Sequence, residues 1–220
     1  MHRTETTVFD ERQAMGDFET TGICLIRQFL PEADLGPLRA AVDACVTGGP
    51  GNRVFRLPRI DGLDLPSLLR DLATRLAGRP ARMVRILAFD KTPATNWGVP
   101  WHQDRTVAVK RRVDVDGFGP WSVKAMFSLR LHLDDCGREN GPLKIVPGSH
   151  RLGRLPVREV LDLGNREAAT TCLAGAGDVL AMKALTVHAS DPASAPAHRR
   201  VLHLDFSTSD LPAPLEWAGA

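Results

Sequence analysis

Residues 127–135, FSLRLHLDD, alternate without a break. Leu129, Leu131 and Leu133 fall on one side of an extended chain, and Arg130, His132 and Asp134 fall on the other. A strand of this kind buries its leucines against one layer, while its polar side lines either solvent or a polar cavity. The surrounding sequence supplies further strands at 81–89 (ARMVRILAF), 99–109 (VPWHQDRTVAV), 169–173, 178–183 and 200–206, and a shorter one within 139–150, where Asn140-Gly141 makes a tight reversal.

Helical spacing is confined mainly to the first third. After a short apolar strand within 20–29, Leu35, Leu38, Ala41, Val42 and Cys45 form one side of a helix over 31–46, ended by the Gly/Pro cluster that starts at Gly48. Leu65, Leu68, Leu69, Leu72 and Leu76 make an apolar stripe over 65–77 that stops before Gly78. A further short helix is expected at 156–163, and the tail after Asp210 is expected to carry no core element.

Helices first and many short strands afterwards predict an all-β core, a barrel or sandwich, with flanking helices. Regular helices do not separate the later strands, which argues against a parallel α/β sheet. At 220 residues, one domain spanning 1–220 is the expectation, with the N-terminal helices covering the sheet.

The balance of 28 Lys and Arg against 26 Asp and Glu gives a net charge of +2, far from the basic excess of a nucleic-acid binder. The run Lys110-Arg111-Arg112 reads as a solvated loop. Cys24, Cys45, Cys136 and Cys172 are far apart and form no CxxC pair, so the sequence indicates a reduced, cytoplasmic protein with neither a zinc ribbon nor a redox dithiol. The polar start MHRTETTVFDERQAMGDF does not read as a signal peptide, and no apolar run is long enough to cross a bilayer, so no membrane partner is expected. Nothing in the pattern chooses between a monomer and a homodimer.

The chemistry is concentrated at His102-Gln103-Asp104. On a strand, residues i and i+2 point to the same face, so an imidazole and a carboxylate can meet one ion. A distant histidine would complete a two-histidine, one-carboxylate triad, which takes one face of Fe(II) and leaves the others open. His188, between GDVLAMKA and the turn-forming SDPASAP, sits at an expected strand end; His198 and His203 are alternatives. His150 reads as a residue pinning a turn and His132 as a cavity wall.

Four segments resemble the phytanoyl-CoA dioxygenase family of Fe(II)/2-oxoglutarate oxygenases: WHQD at 101–104, LHLDDCGRENGPLKIVPGSH at 131–150, GAGDVLAMKALTVHAS at 175–190 and HRRVLHLDFS at 198–207. The resemblance spans about the final two thirds of the chain. It implies a double-stranded β-helix, the cupin-like jelly roll, with His102, Asp104 and His188 as iron ligands. It also implies 2-oxoglutarate and dioxygen as co-substrates, and Arg199 as the clamp for the remote carboxylate of 2-oxoglutarate. A guanidinium fork suits a bidentate carboxylate contact. Arg200 is the neighbour that a one-residue slip would exchange for it.

Gln103 and Lys91 are further candidates for the co-substrate pocket. Thr92, Asn96, Trp97, Trp101, Arg105, Trp121 and Arg130 are candidates for the substrate side. Within the family, an intact carboxylate at Asp104 favours hydroxylation over halogenation. The expected reaction is hydroxylation of a small metabolite with release of succinate and carbon dioxide. Two other readings are a cupin-like metalloenzyme that does not use 2-oxoglutarate and a catalytically silent jelly-roll binding module.

Overall fold

The computed structural model describes residues 10–46, 52–54, 57, 60–111 and 121–218. The glycines and proline at 48–51 and Arg112 of the basic run lie outside them. Helix α1 (Glu11–Thr21) precedes strand β1 (Ile23–Ile26), and a short 3-10 turn leads into α2 (Leu35–Cys45). There follow β2 (Asn52–Val54), α3 (Leu65–Ala77), β3 (Arg82–Lys91), β4 (Val99–His102), α4 (Trp121–Lys124) and β5 (Met126–His132). The chain ends with β6 (Leu143–Ile145), α5 (Val157–Arg166), β7 (Thr170–Cys172), β8 (Val179–Lys183), β9 (His188–Ser190) and β10 (Arg199–Ser207).

Local chemistry sets these bounds. Helix α3 starts where the Asp64 carboxylate accepts from the Ser67 amide at 3.2 Å, has Pro66 in its first turn and ends at Gly78 in the left-handed region. Leu65, Leu69, Leu72 and Leu76 are buried, whereas Leu68, counted in the stripe from its spacing, is 39% exposed. Helix α1 was not legible in the polar N-terminal sequence. Asp10 caps it by accepting from Gln13 N, and among its described residues it buries Ala14 and Phe18, one turn apart.

The strands form a six-stranded sheet in the order β1-β8-β5-β10-β3-β2 and a four-stranded sheet in the order β4-β9-β6-β7, with every named pairing antiparallel. One face of the large sheet packs under α1, α2 and α3. Leu129, Leu131, Val179, Ala181, Leu202, Leu204 and Phe206 meet Phe18, Leu38, Leu69 and Leu72 there in the main core. Leu180 and Met182 leave the opposite face to pack against Ile145 and Cys172 of the small sheet. Helix α5 closes the far side, its Val160 against Val146 and Val187, with Trp101 alongside.

The expectation of a closed jelly roll is corrected by this topology. The two sheets are open, and among the described residues no strand register joins one to the other, so neither a barrel nor a double-stranded β-helix is formed. Two physical features account for this. The small sheet is built from strands of three or four residues, and its edge strand β4 carries Pro100, which has no amide hydrogen to extend a ladder. Side-chain alternation reports which face is buried and says nothing about whether sheet edges meet.

The tail also differs from its expectation. Trp217 is buried beside Val123, Met126 and Leu185, and its backbone bridges to Val109. All four cysteines are free thiols. No helix among the described residues is long and apolar enough to cross a membrane.

Candidate active site

Strands β4 and β9 pair so that His102 and His188 are direct Cα partners, which places their rings 4.1 Å apart between centroids. Strand β4 stops at His102. Asp104 lies just beyond, held in line by its amide, which donates to the Ala184 carbonyl at 2.9 Å. Asp104 Oδ1 is 3.5 Å from His102 Nε2, and Asp104 Oδ2 is 3.7 Å from His188 Nε2. One ligand atom from each of the three lies within 4.8 Å of the others, close enough to share one ion.

The ring orientations suit a metal. His102 Nδ1 donates to the Pro100 carbonyl and His188 Nδ1 to the Thr186 carbonyl, each at 2.9 Å. A carbonyl only accepts, so both Nδ1 atoms carry hydrogen and both Nε2 atoms are the ring nitrogens that face Asp104. Burial pushes His188 down to about 3, against the pull of Asp104. Burial also works against His102 and Asp104, but the hydrogen bond and charge of Asp104 hold His102 above its usual value, and His188, His102 and Arg130 hold Asp104 well below the carboxylate range. A neutral imidazole at His188 beside an ionised carboxylate is the donor set a divalent cation requires.

These residues line one cavity between the sheets. Its walls are Phe89, Trp97, Val99, Leu143, Leu180 and Val201, and its polar groups include Arg130, His132, Ser190, Arg199 and His203. The polar side of the alternating segment, Arg130 and His132, therefore faces the cavity. Two buried atoms in it lack a hydrogen-bond partner, His132 Nδ1 and Arg199 Nε. Burial, followed by the charges of Arg199 and Arg130, pushes His132 down to about 3. A polar ligand is what such orphaned groups call for.

The two adjacent arginines part company here. Arg199 turns into the cavity and donates to the Gly141 carbonyl, at a glycine whose φ of +60° suits no ordinary side chain. Arg200 turns outward to Asp43 at 2.6 Å and to Asp134 at 3.1 Å. Lys91, the Cα partner of Arg199, lies beside the cavity rather than in its wall and is completely buried. Its ammonium donates to the Asp191 carbonyl at 2.7 Å, and burial, helped by the Arg199 charge, pulls it down to about 8.

Gln103 is outside the cavity. Its amide donates to the Gly153 and Leu185 carbonyls and accepts from Leu155 N, which ties three separate segments together. Trp97 is a wall residue, while Trp101 stacks on Gly164 of α5 and leaves no room for a Cβ there. Arg105 donates to the Leu155 carbonyl, and Asn96 pins Ala193 through two hydrogen bonds. Thr92 closes a turn with Thr95. The side chain of Trp121 is outside the described set.

His203 is buried in the cavity wall and bonds Asp205 at 3.0 Å. His198 is outside, bonded to Asp90 at 2.8 Å, and His150 meets the Glu19 carbonyl. Asp43, Asp90 and His198 form a second cluster of possible ligand atoms, but Arg200 already engages Asp43. Phe89, Leu180 and Ser190 were missed as cavity residues. For Phe89 the signal was present, since alternation along β3 puts it on the same face as Lys91.

The His/Asp/His group that could hold a metal ion opens on a cavity that a buried arginine also lines, a donor set and a setting consistent with a mononuclear metal centre. The chain belongs to the phytanoyl-CoA dioxygenase family, whose model, Phytanoyl-CoA dioxygenase (PhyH), matches residues 54–201. With the family and the metal-ligand group comes the activity class, a 2-oxoglutarate-dependent oxygenase acting on a small substrate.

Solved structures share the fold. AviO1 from Streptomyces viridochromogenes Tue57 superposes with a TM-score of 0.70 at 22% identity, over 96% of this chain and 100% of that one. The non-haem α-ketoglutarate-dependent carbocyclase SnoK from nogalamycin biosynthesis gives 0.72 at 20% identity, over 90% and 84%. EvdO2 from Micromonospora carbonacea var. aurantiaca, complexed with 2-oxoglutarate, gives 0.67 at 21% identity, over 99% and 98%. No curated protein matches the sequence.

Proposed function

We propose that His102, Asp104 and His188 hold Fe(II), that Arg199 binds the remote carboxylate of 2-oxoglutarate, and that the enzyme hydroxylates a small metabolite with release of succinate and carbon dioxide. The observation that carries this reading is the convergence of three correctly oriented ligand atoms with an arginine of unsatisfied hydrogen-bonding capacity in one cavity. When bound, iron and the 2-oxo acid supply the activation of dioxygen and the oxidation of a substrate C–H bond. The protein's residues bind, orient and shield. Arg199 offers a fork to a carboxylate, the Pro100 and Thr186 carbonyls hold the imidazoles, and the apolar walls limit water.

Arg199 favours this reading over a cupin-like enzyme without 2-oxoglutarate, because a buried guanidinium facing the cavity otherwise lacks an anionic partner. The chain acts in this account as a single domain, since its main core draws on residues from Ala14 to Phe206. It works in the cytoplasm on a free small molecule, as monomer or homodimer; four free thiols fit that compartment.

The test is turnover of 2-oxoglutarate in air with added Fe(II), followed by succinate formation. The expected result is iron-dependent succinate formation, slow without a primary substrate and lost in His102→Ala. Folded, iron-supplied protein that forms no succinate, with or without a substrate panel, would point instead to the silent binding module.

A further inference from the structure

Arg130, so far only one of several candidates for the substrate side, projects from the middle of β5 into the cavity with its side chain only 13% exposed. Its Nη2 lies 3.4 Å from both Asp104 Oδ2 and His188 Nε2, at the edge of the position a metal would take. Its other hydrogen bond is to Ser128 Oγ at 3.4 Å. The nearby Asp205 carboxylate is engaged by Arg85 at 2.5 Å and by His203 at 3.0 Å. Asp104 is thus the anion on which Arg130 relies.

Iron binding makes Arg130 share that partner, because the carboxylate then serves the metal as well. Charge accounting shows what is missing. Fe(II) and the 2-oxoglutarate dianion cancel, and Asp104 offsets one of the two cavity arginines. One guanidinium charge remains, with the Lys91 ammonium close behind Arg199 adding to the excess. An unmatched guanidinium out of water is costly, and an incoming anion removes that cost.

The two arginines also enter at separate points. Arg130 is the Cα partner of His203, four residues along β10 from Arg199, or about 13 Å of strand. His132 and Val201 lie between them.

We propose that Arg130 is a specificity-determining residue that grips a carboxylate of the primary substrate, so that the enzyme acts on small organic acids. The inference rests on the oxygenase reading of the site. Arg199 serves the co-substrate, and Arg130 holds the substrate beside the metal with its apolar remainder against Phe89, Trp97 and Leu180.

The test is an anaerobic binding titration, read by tryptophan fluorescence and melting temperature, on protein loaded with Fe(II) and 2-oxoglutarate and, in parallel, on metal-free protein. The probes are hexanoate, benzoate and phenylacetate, each against its primary amide, with wild type, Arg130→Gln, Arg130→Lys and Arg199→Gln. The expected result is about tenfold or greater preference for acids over amides, as befits hydrogen bonds to a charged group. Arg130→Gln should lose that preference with little change in 2-oxoglutarate affinity, whereas Arg130→Lys should keep part of it. Arg130→Lys is also the check if the glutamine variant does not fold.

Equal binding of acids and amides, or no binding of any acid, overturns the proposal. So does a loss of 2-oxoglutarate affinity in Arg130→Gln as large as that in Arg199→Gln, which would assign Arg130 to the co-substrate. Wild-type protein that keeps the acid preference but binds neither Fe(II) nor 2-oxoglutarate would retain Arg130 as an oxyanion site and overturn the oxygenase reading alone.

Discussion

The two faces of the six-stranded sheet are made by the same strands and do opposite work. On β5, Leu129 and Leu131 are fully buried beneath the helices, while Arg130 and His132 point into the cavity. On β10, Leu202 and Leu204 join the helical core, while Arg199 and His203 face the site. One face meets its needs by excluding water from carbon. The other keeps charged and polar groups dry with some of them unpartnered, a state that a ligand completes. Substitutions one residue apart should therefore separate folding from binding.

The largest effect is expected on the helical face. Leu129→Ala should cost about 2–5 kcal/mol of stability by opening a cavity, seen as a lower urea midpoint, while the folded fraction still binds Fe(II). If metal binding were lost in that folded fraction, the two faces would not be separable. Next comes Arg199→Ala, which should weaken 2-oxoglutarate binding by about tenfold or more, since a hydrogen-bonded charge is removed, with stability little changed in calorimetry. An unaltered affinity would remove Arg199 from the co-substrate site.

A pH dependence sharpens the contrast. His132 is neutral in the fold down to about 3, whereas in the unfolded chain it takes a proton near its ordinary 6.5. Its contribution is absent above that value, and stability is lost as the pH falls from about 6.5 toward 3, because only the unfolded state binds the proton there. Urea titrations over this range should show a shallower decline for His132→Gln than for wild type. An identical slope would mean that His132 is not buried neutral. The smallest effect belongs to Arg200→Ala, which should cost about 1 kcal/mol through its partly exposed pairs with Asp43 and Asp134 and leave 2-oxoglutarate binding intact.

The same contrast explains what the sequence disclosed. Alternation at 127–135 separated the leucine side from the polar side and left open whether the latter met solvent or a cavity, and the leucine stripe over 65–77 with Gly78 after it marked α3. The His102, Asp104 and His188 grouping rested on strand geometry joined to a family resemblance, and the structure brings the three together. Helix α1 was hidden because its buried face rests on Ala14 and Phe18, too few apolar positions to make a stripe in a polar segment. Gln103 was misplaced because its partners Gly153, Leu155 and Leu185 are distant in sequence. The jelly roll failed for a related reason: whether sheet edges meet is decided by tertiary register, to which a local pattern is blind.

The most direct test is an anaerobic titration of the apoprotein with Fe(II) and then 2-oxoglutarate, recording the visible charge-transfer absorption of the wild type, His102→Ala and Arg199→Ala. The expected result is a saturable band that requires His102 and forms only at higher 2-oxoglutarate concentration without Arg199. Folded wild-type protein in excess iron that shows no band would contradict it.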